Sequence, residues 1–220
     1  MLRKLLHIAI MVFLLQVAQR IEAQPRWIEN RGQWPEQVLY QTPLNSGVLW
    51  TERTGFTYQL YNPNELQQLI SQHGAGGDET LHGHVYRMNF INGGAAQSVG
   101  MQSAGYYMNY YTSPDSSRHS DHCDVWARAR LENVYDGIDV LVYSASGSLK
   151  YDWVLAPGAD PSDIEIEIEG VSCALVSANS GSDLELQTAV QTIIEKHPFA
   201  YQIKNGTMHE VACSYVLNGE

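Results

Sequence analysis

The sequence predicts an all-β fold: an antiparallel β-sandwich with one short helix inserted between strands. Three observations carry this. The run from Asn133 to Pro161 reads as two strands around a turn, closed by a second turn at Pro157-Gly158. Ile138, Val140 and Val142 alternate with Asp139, Leu141 and Tyr143; Leu149, Tyr151, Trp153 and Leu155 alternate with Lys150, Asp152 and Val154. A period of two on both arms is the pattern of a hairpin with one apolar face, turning at Ala145-Ser146-Gly147-Ser148. Next, Asp163 to Glu169 alternates without a fault. It turns Ile164, Ile166 and Ile168 inward, with carboxylates facing water, and the acidic row discourages pairing with another chain. Last, about a dozen segments read as strands and one as a helix, the balance of an all-β domain.

Taken in order, the chain opens on an apolar leader. Arg3 and Lys4 form a basic start, Leu5 to Val17 is too short an apolar run for a membrane span, and Ala23 suits cleavage. Residues 1–23 are read as a secretory signal peptide, and 24–220 as a single domain. Trp27 and Ile28 precede a turn at Glu29-Asn30-Arg31-Gly32. Val38 and Tyr40, then Val48 and Trp50, belong to two short strands around Asn45-Ser46-Gly47. Gly55 to Tyr61 is a half-buried strand with Phe56, Tyr58 and Leu60 on one side. Asn62-Pro63-Asn64-Glu65 is a helix start: Asn62 caps, Pro63 suits the first helical position, and Glu65 stands where a capping box needs it. The stripe Leu66, Leu69, Ile70 then predicts a short helix ending by His73, before the glycine-rich Gly74 to Gly77.

His84 to Ile91 is a strand whose apolar face is Tyr86, Met88 and Phe90, ended by Gly93-Gly94. Tyr106 to Tyr111 is dense in tyrosine, and Thr112 to Asp124 reads as a polar loop. Trp126 to Val134 leads as a strand into the central hairpin. Beyond it, Leu184 and Leu186, Val190 to Glu195, and Phe199 to Ile203 are further strands. Asn205-Gly206 is the strongest two-residue hairpin signal in the chain, joining Tyr201 to Lys204 with Met208 to Leu217.

The formal charge is −11. Loss of residues 1–23 removes Arg3, Lys4, Arg20 and Glu22, leaving ten basic and twenty-three acidic side chains and a charge of −13. Such a chain is repelled by nucleic-acid phosphates and anionic membranes, so no nucleic-acid partner is expected, nor a membrane span once the leader is gone. Three cysteines make no disulfide scaffold. Export permits one bridge, and Cys173 with Cys213 is the pair weighed, against three separate thiols acting as small hydrophobes.

Several residue groups invite a chemical reading. Asp139 and Asp152 share a face of the central hairpin, with Lys150 between them. Paired carboxylates can serve as acid and base in glycoside hydrolysis, and equally form a cross-strand charge cluster. His82-Gly83-His84 and the run Arg118 to Asp124, with His119, His122 and Cys123, carry zinc-type ligands without a zinc spacing. Asp160 to Asp163 offers oxygen ligands without a calcium-loop motif. Trp50, Tyr106, Tyr107, Tyr110 and Tyr111 are candidate ligand-stacking rings, of the kind that stack on the apolar faces of sugars. Trp153 alternates into the core. Gly74 to Gly77 lacks the lysine and flanking elements of a phosphate loop. No catalytic residue, metal or cofactor is assigned.

A set of blocks also resembles a known family. They are Trp27 to Pro35 (WIENRGQWP), Gly55 to Tyr58, Tyr135 to Asp139, Leu149 to Trp153 with Pro157 to Pro161, Ile194 to Gln202 (IEKHPFAYQ), and Tyr215 to Leu217. In this order they resemble the uncharacterised N-terminal domain of secreted and surface proteins of Bacteroidota. Those proteins often continue into PKD-like repeats and a gliding-motility-type C-terminal sorting domain. The resemblance implies a secreted β-rich module, export by the type IX route, and a longer protein of which 24–220 is the N-terminal module. It brings no established catalytic residues. The expected function is an exported, non-enzymatic structural or adhesive module, secreted or at the cell surface, whose partners are surface polysaccharide or other domains of the same polypeptide. The alternatives are a carbohydrate-binding module and a hydrolase with a carboxylate or zinc site.

Overall fold

The computed structural model describes residues 26–71, 80–177 and 182–218. The leader and Gly74 to Gly77 lie outside them. The main sheet is antiparallel and ten-stranded. Its strands are β1 (Trp27–Glu29), β2 (Val38–Leu44), β3 (Gly47–Glu52), β4 (Gly55–Tyr61), β5 (Gly83–Phe90), β6 (Gln97–Tyr110), β7 (Ser120–Tyr135), β8 (Ile138–Ala145), β9 (Ser148–Leu155) and β10 (Ile166–Glu169). They run β10-β5-β4-β3-β2-β1-β7-β8-β9, with β6 alongside β7. The helix α1 (Pro63–Ser71) joins β4 to β5. Asn62 caps it, its Oδ1 accepting from the amides of Asn64 and Glu65 at 3.0 and 3.3 Å.

β7 is the corner of the fold. Its first half pairs with β1 (Trp27↔Trp126, Ile28↔Val125) and its second half with β8 (Arg128↔Tyr143 to Leu131↔Val140). β6 runs along the other edge, from Gln97↔Glu132 to Tyr110↔Ser120. The β6 ladder breaks register twice, and the β7–β8 ladder breaks between Leu131 and Tyr135. Gln102, His122 and Asn133 sit there or nearby at φ 57°, 53° and 54°. Such bulges bend strands and tighten their twist. The bend brings β9 over β4 and β5: Tyr151 lies 5.7 Å from Phe56 and Trp153 lies 5.2 Å from Phe90, ring centre to ring centre.

The result is a curled antiparallel half-barrel. The all-β expectation holds; the two-sheet sandwich is not clearly formed, because the sheet bends through β7 instead of dividing. Its concave face carries Trp27, Leu49, Tyr86, Met88, Leu131, Ile138 and Val140, all buried. Fully burying one such aliphatic or aromatic side chain contributes about 1.5–3 kcal/mol.

A second sheet closes part of that face. β11 (Cys173–Ser177), β12 (Asp183–Gln187) and β13 (Thr192–Glu195) run in sequence order. Leu184 and Leu186 are buried in the same cluster as the main-sheet core, with Ile193 packed against it. β14 (Ala200–Lys204) and β15 (Thr207–Val211) form a separate hairpin. It turns at Asn205-Gly206 with φ 52° and 77°, as a type I′ turn requires.

Two expectations need correcting. The polar run Thr112 to Asp124 is loop only to His119; Ser120 already belongs to β7, because Ser120, Cys123 and Asp124 pair with Tyr110, Met108 and Tyr107 of β6 despite their polarity. The final strand ends at Val211 rather than Leu217, leaving Cys213 outside any strand. Cys173 and Cys213 accordingly stand unbridged, as does buried Cys123.

Candidate functional site

The aromatic residues gather at one end of the β6–β7 ladder, positioned by the turn after β1. Asn30 organises that turn. Its Oδ1 accepts from the amides of Gly32 and Trp34 at 3.0 and 3.2 Å. Its Nδ2 donates to the carbonyls of Trp34, Pro35 and Val38 at 3.2, 2.9 and 2.7 Å. One side chain thus replaces the backbone pairing that the excursion between β1 and β2 forfeits. Ser120 Oγ ties the start of β7 to the same turn by donating to the Arg31 carbonyl at 3.1 Å.

Trp34 is thereby held between two rings, 5.5 Å from Trp50 and 5.0 Å from Tyr110, both edge-on. Trp34 and Tyr110 cover a small apolar cluster of Ile28, Cys123 and Val125. Burial there raises the Tyr110 phenol and the Cys123 thiol above their ordinary pKa values. Both groups stay protonated at neutral pH, so Cys123 is a packing residue and not a thiolate nucleophile.

The remaining tyrosines face solvent. Tyr106, Tyr107 and Tyr111 are 52%, 49% and 58% exposed. Tyr107 stacks on His122 at 4.1 Å, and Tyr111 meets the edge of His119 at 5.5 Å. Of the five predicted stacking residues, Trp50 and Tyr110 therefore serve mainly in packing. Tyr106, Tyr107 and Tyr111 form the accessible part. Trp34, His119 and His122 join them, a grouping that sequence spacing does not reveal. The visible signal for Trp34 is the Asn30-x-Gly32 turn that precedes it.

The candidate acids and metal ligands are dispersed, each engaged with its own neighbourhood. Asp139 accepts from the Asn133 amide at 2.9 Å and pairs with Arg130 at 3.5 Å; Arg130, not Lys150, is its counter-ion. Asp152 accepts from the Tyr143 hydroxyl at 3.3 Å. His82 binds the Glu65 carboxylate at 2.9 Å, and both the amide and ring of His82 hold that carboxyl below the usual range. His84 Nε2 meets the Gly170 carbonyl at 2.7 Å, and His119 Nε2 the Ser113 carbonyl at 2.7 Å. Among the described residues, no three His, Cys, Asp or Glu side chains converge as metal ligands. Asp160 caps the short 3₁₀ turn Pro161–Asp163, and the Ser162 amide and hydroxyl on its carboxylate lower its pKa.

One open groove of about 600 Å³ lies beside that turn, lined by Asn92, Asn133, Asp136, Ser162, Asp163 and Glu165 among others. Tyr135, also in its wall, donates to the Glu165 carbonyl at 2.7 Å. The lining is polar and lacks a nucleophile–base pair. No helix among the described residues is long and apolar enough to cross a membrane.

No curated protein and no solved structure matches the chain. A family model does match, over residues 27–220, which takes in the Asn30 turn, the half-barrel, the second sheet and the terminal hairpin. By that match the chain belongs to the family described as a domain of unknown function, DUF7948.

Proposed function

We propose that this chain is an exported, non-enzymatic module with a structural or adhesive role in a secreted or cell-surface protein. One observation carries the reading. The side chains best suited to acid–base or metal chemistry hold backbone amides, carbonyls or counter-ions of their own neighbourhood. What they leave open is a surface of half-exposed aromatic rings. Buried in a contact, such rings supply adhesion with no reaction. The leader supports export. The family resemblance supports a Bacteroidota surface protein in which 24–220 precedes further β repeats and a type IX sorting domain.

Fractionation of the native cells tests the location. The chain should appear outside the cytoplasm with Gln24 as its first residue. Recovery from the cytoplasm with the leader intact would overturn the reading. The nucleotide sequence beyond the codon for Glu220 tests the modular part: an open frame running into repeats is expected, and an immediate stop opposes it.

A second reading, glycan binding, is favoured by Tyr106, Tyr107 and Tyr111 specifically. Tyr107→Ala and Tyr111→Ala should each weaken binding to surface polysaccharide roughly tenfold, the equivalent of about 1.4 kcal/mol for a lost stacking contact. Intrinsic fluorescence titration reads this. No quenching of the wild-type chain by the polysaccharides of its own cell surface would leave adhesion to rest on protein contacts.

A further inference from the structure

β6 is an open edge whose first stretch, Gln97 to Met101, carries no charge, no proline and no bulge. Among the described residues it pairs only with β7, so its other side presents unpaired main-chain N–H and C=O groups. Proteins normally blunt such an edge with charge, proline or brevity. The other ends of the main sheet follow the rule: β10 has four residues and carries Glu167 and Glu169, and β9 carries Lys150 and Asp152. The edge strand β11 is uncharged but has only five residues. β6 has fourteen, and no Asp, Glu, Lys or Arg occurs between Arg87 and Asp115. Its ladder with β7 is regular from Gln97 to Met101, before Gln102 turns to φ 57°. Within that run Val99 is 45% exposed.

We propose that the edge Gln97 to Met101 is a dimerisation surface, completed by β6 of a second copy of this chain. The strands run antiparallel about a twofold axis at Val99. Val99 then faces Val99, Gln97 faces Met101, and Ser98 faces Gly100, so the two half-barrels share one continuous sheet. Charge selects this partner. At a formal −11 per chain, two copies repel wherever acidic strands meet. Pairing through β10 would set Glu167 and Glu169 against another edge. β6 against β6 joins two edges of the main sheet with no charge on either strand. A β-branched pair at the centre is favourable. The contact is isologous, so it consumes both edges and closes instead of growing into a fibre. Five paired residues bury little area, which places the dimer among weak, concentration-dependent interfaces. The proposal goes beyond the adhesive reading and does not rest on it.

Sedimentation equilibrium across a concentration series tests it on the purified chain. The mass should rise from one chain toward two. Val99→Lys sets two ammonium groups face to face on the axis and should hold the chain monomeric. Val85→Lys, an equally exposed position on the interior strand β5, should dimerise as the wild type does. Hydrogen exchange on the wild type serves as a measure independent of any variant: amides within Gln97 to Met101 should gain protection as concentration rises. A wild type that stays monomeric to its solubility limit overturns the proposal. So does a dimer that forms without that protection, or one that Val99→Lys leaves intact. A monomer whose β6 amides are protected only by an added uncharged β-peptide would assign the edge to a foreign strand instead.

Discussion

Glu195 and Asp183 are acids of the same small sheet with opposite effects on stability. Glu195 pairs across the ladder with buried Leu184, so its carboxyl shares the core-facing side. Tyr58, Tyr86, Tyr151 and Tyr215 all feel its charge. Burial raises its pKa, and Lys150 only partly offsets that; burial likewise pushes the Tyr215 phenol up to about 12. A raised carboxyl pKa means that the folded chain holds this proton more tightly than the unfolded chain. Stability from this group is therefore greatest below the unfolded value of about 4.3 and falls as pH rises through the folded one. Asp183 is the reverse. Its buried carboxylate takes Lys196 Nζ at 2.8 Å and the His197 amide at 2.9 Å, and these donors lower its pKa. Its contribution is present above about 3.9 and lost as pH falls through the folded value. Glu195→Gln should therefore raise Tm at pH 7, with the gain vanishing near pH 4. Asp183→Asn should lower Tm at pH 7, with the loss shrinking below pH 4. Thermal melts of both variants from pH 3 to 8 check the two signs. A Glu195→Gln variant less stable than wild type at pH 7 would refute the first.

Among the elements, the β14–β15 hairpin is the least anchored. It forms a sheet of two strands, and Tyr201, Ile203 and Met208 on one of its faces are more than half exposed. Two strands alone are marginally stable in water. Tyr215 returns the chain to the core beyond it, donating to the Lys196 carbonyl at 2.9 Å. The hairpin should open as a local unit, its amides exchanging orders of magnitude faster than those of β4, β5 and β8, as hydrogen exchange will show. The turn of this element was legible in the sequence, because Asn205-Gly206 encodes it locally, whereas the end of its second strand at Val211 was not. The β8–β9 hairpin, β4 and the capped start of α1 were legible for the same reason: periodicity and turn chemistry are local. β6 was not. Gly100, Gly105 and its serines give no alternation, and β6 is a strand only because β7 offers it a ladder. Gly100 shows this directly: a Cβ there would run into the Trp126 ring, a packing reason that no spacing rule contains. The aromatic site was half legible. Its tyrosines stand out in the sequence, but Trp34, His119 and His122 reach them through the Asn30 turn and the course of β7.

At the scale of the molecule, the question is whether the half-barrel and the three-stranded sheet fold as one unit. Leu184 and Leu186 belong to a single core cluster with Tyr58, Tyr86 and Val142 of the main sheet. Besides burial, the charge of Glu195 in the small sheet raises the pKa of tyrosines in β4, β5 and β9. Most of the apolar area that the small sheet can bury therefore lies against the large one, and a sheet of three short strands has no other core to fold on. Leu186 is fully buried. Leu186→Ala should cost about 2–5 kcal/mol through the lost contacts and the cavity left behind. That loss should appear as one cooperative transition shifted to lower denaturant, with an unchanged slope, because both sheets lose the shared core together. Urea unfolding followed by tryptophan fluorescence, which reports the main sheet, and by exchange at β12 amides checks this. If the tryptophan transition keeps its wild-type midpoint while the β12 amides lose protection, the two sheets are independent, and the half-barrel must be stable with its concave face open.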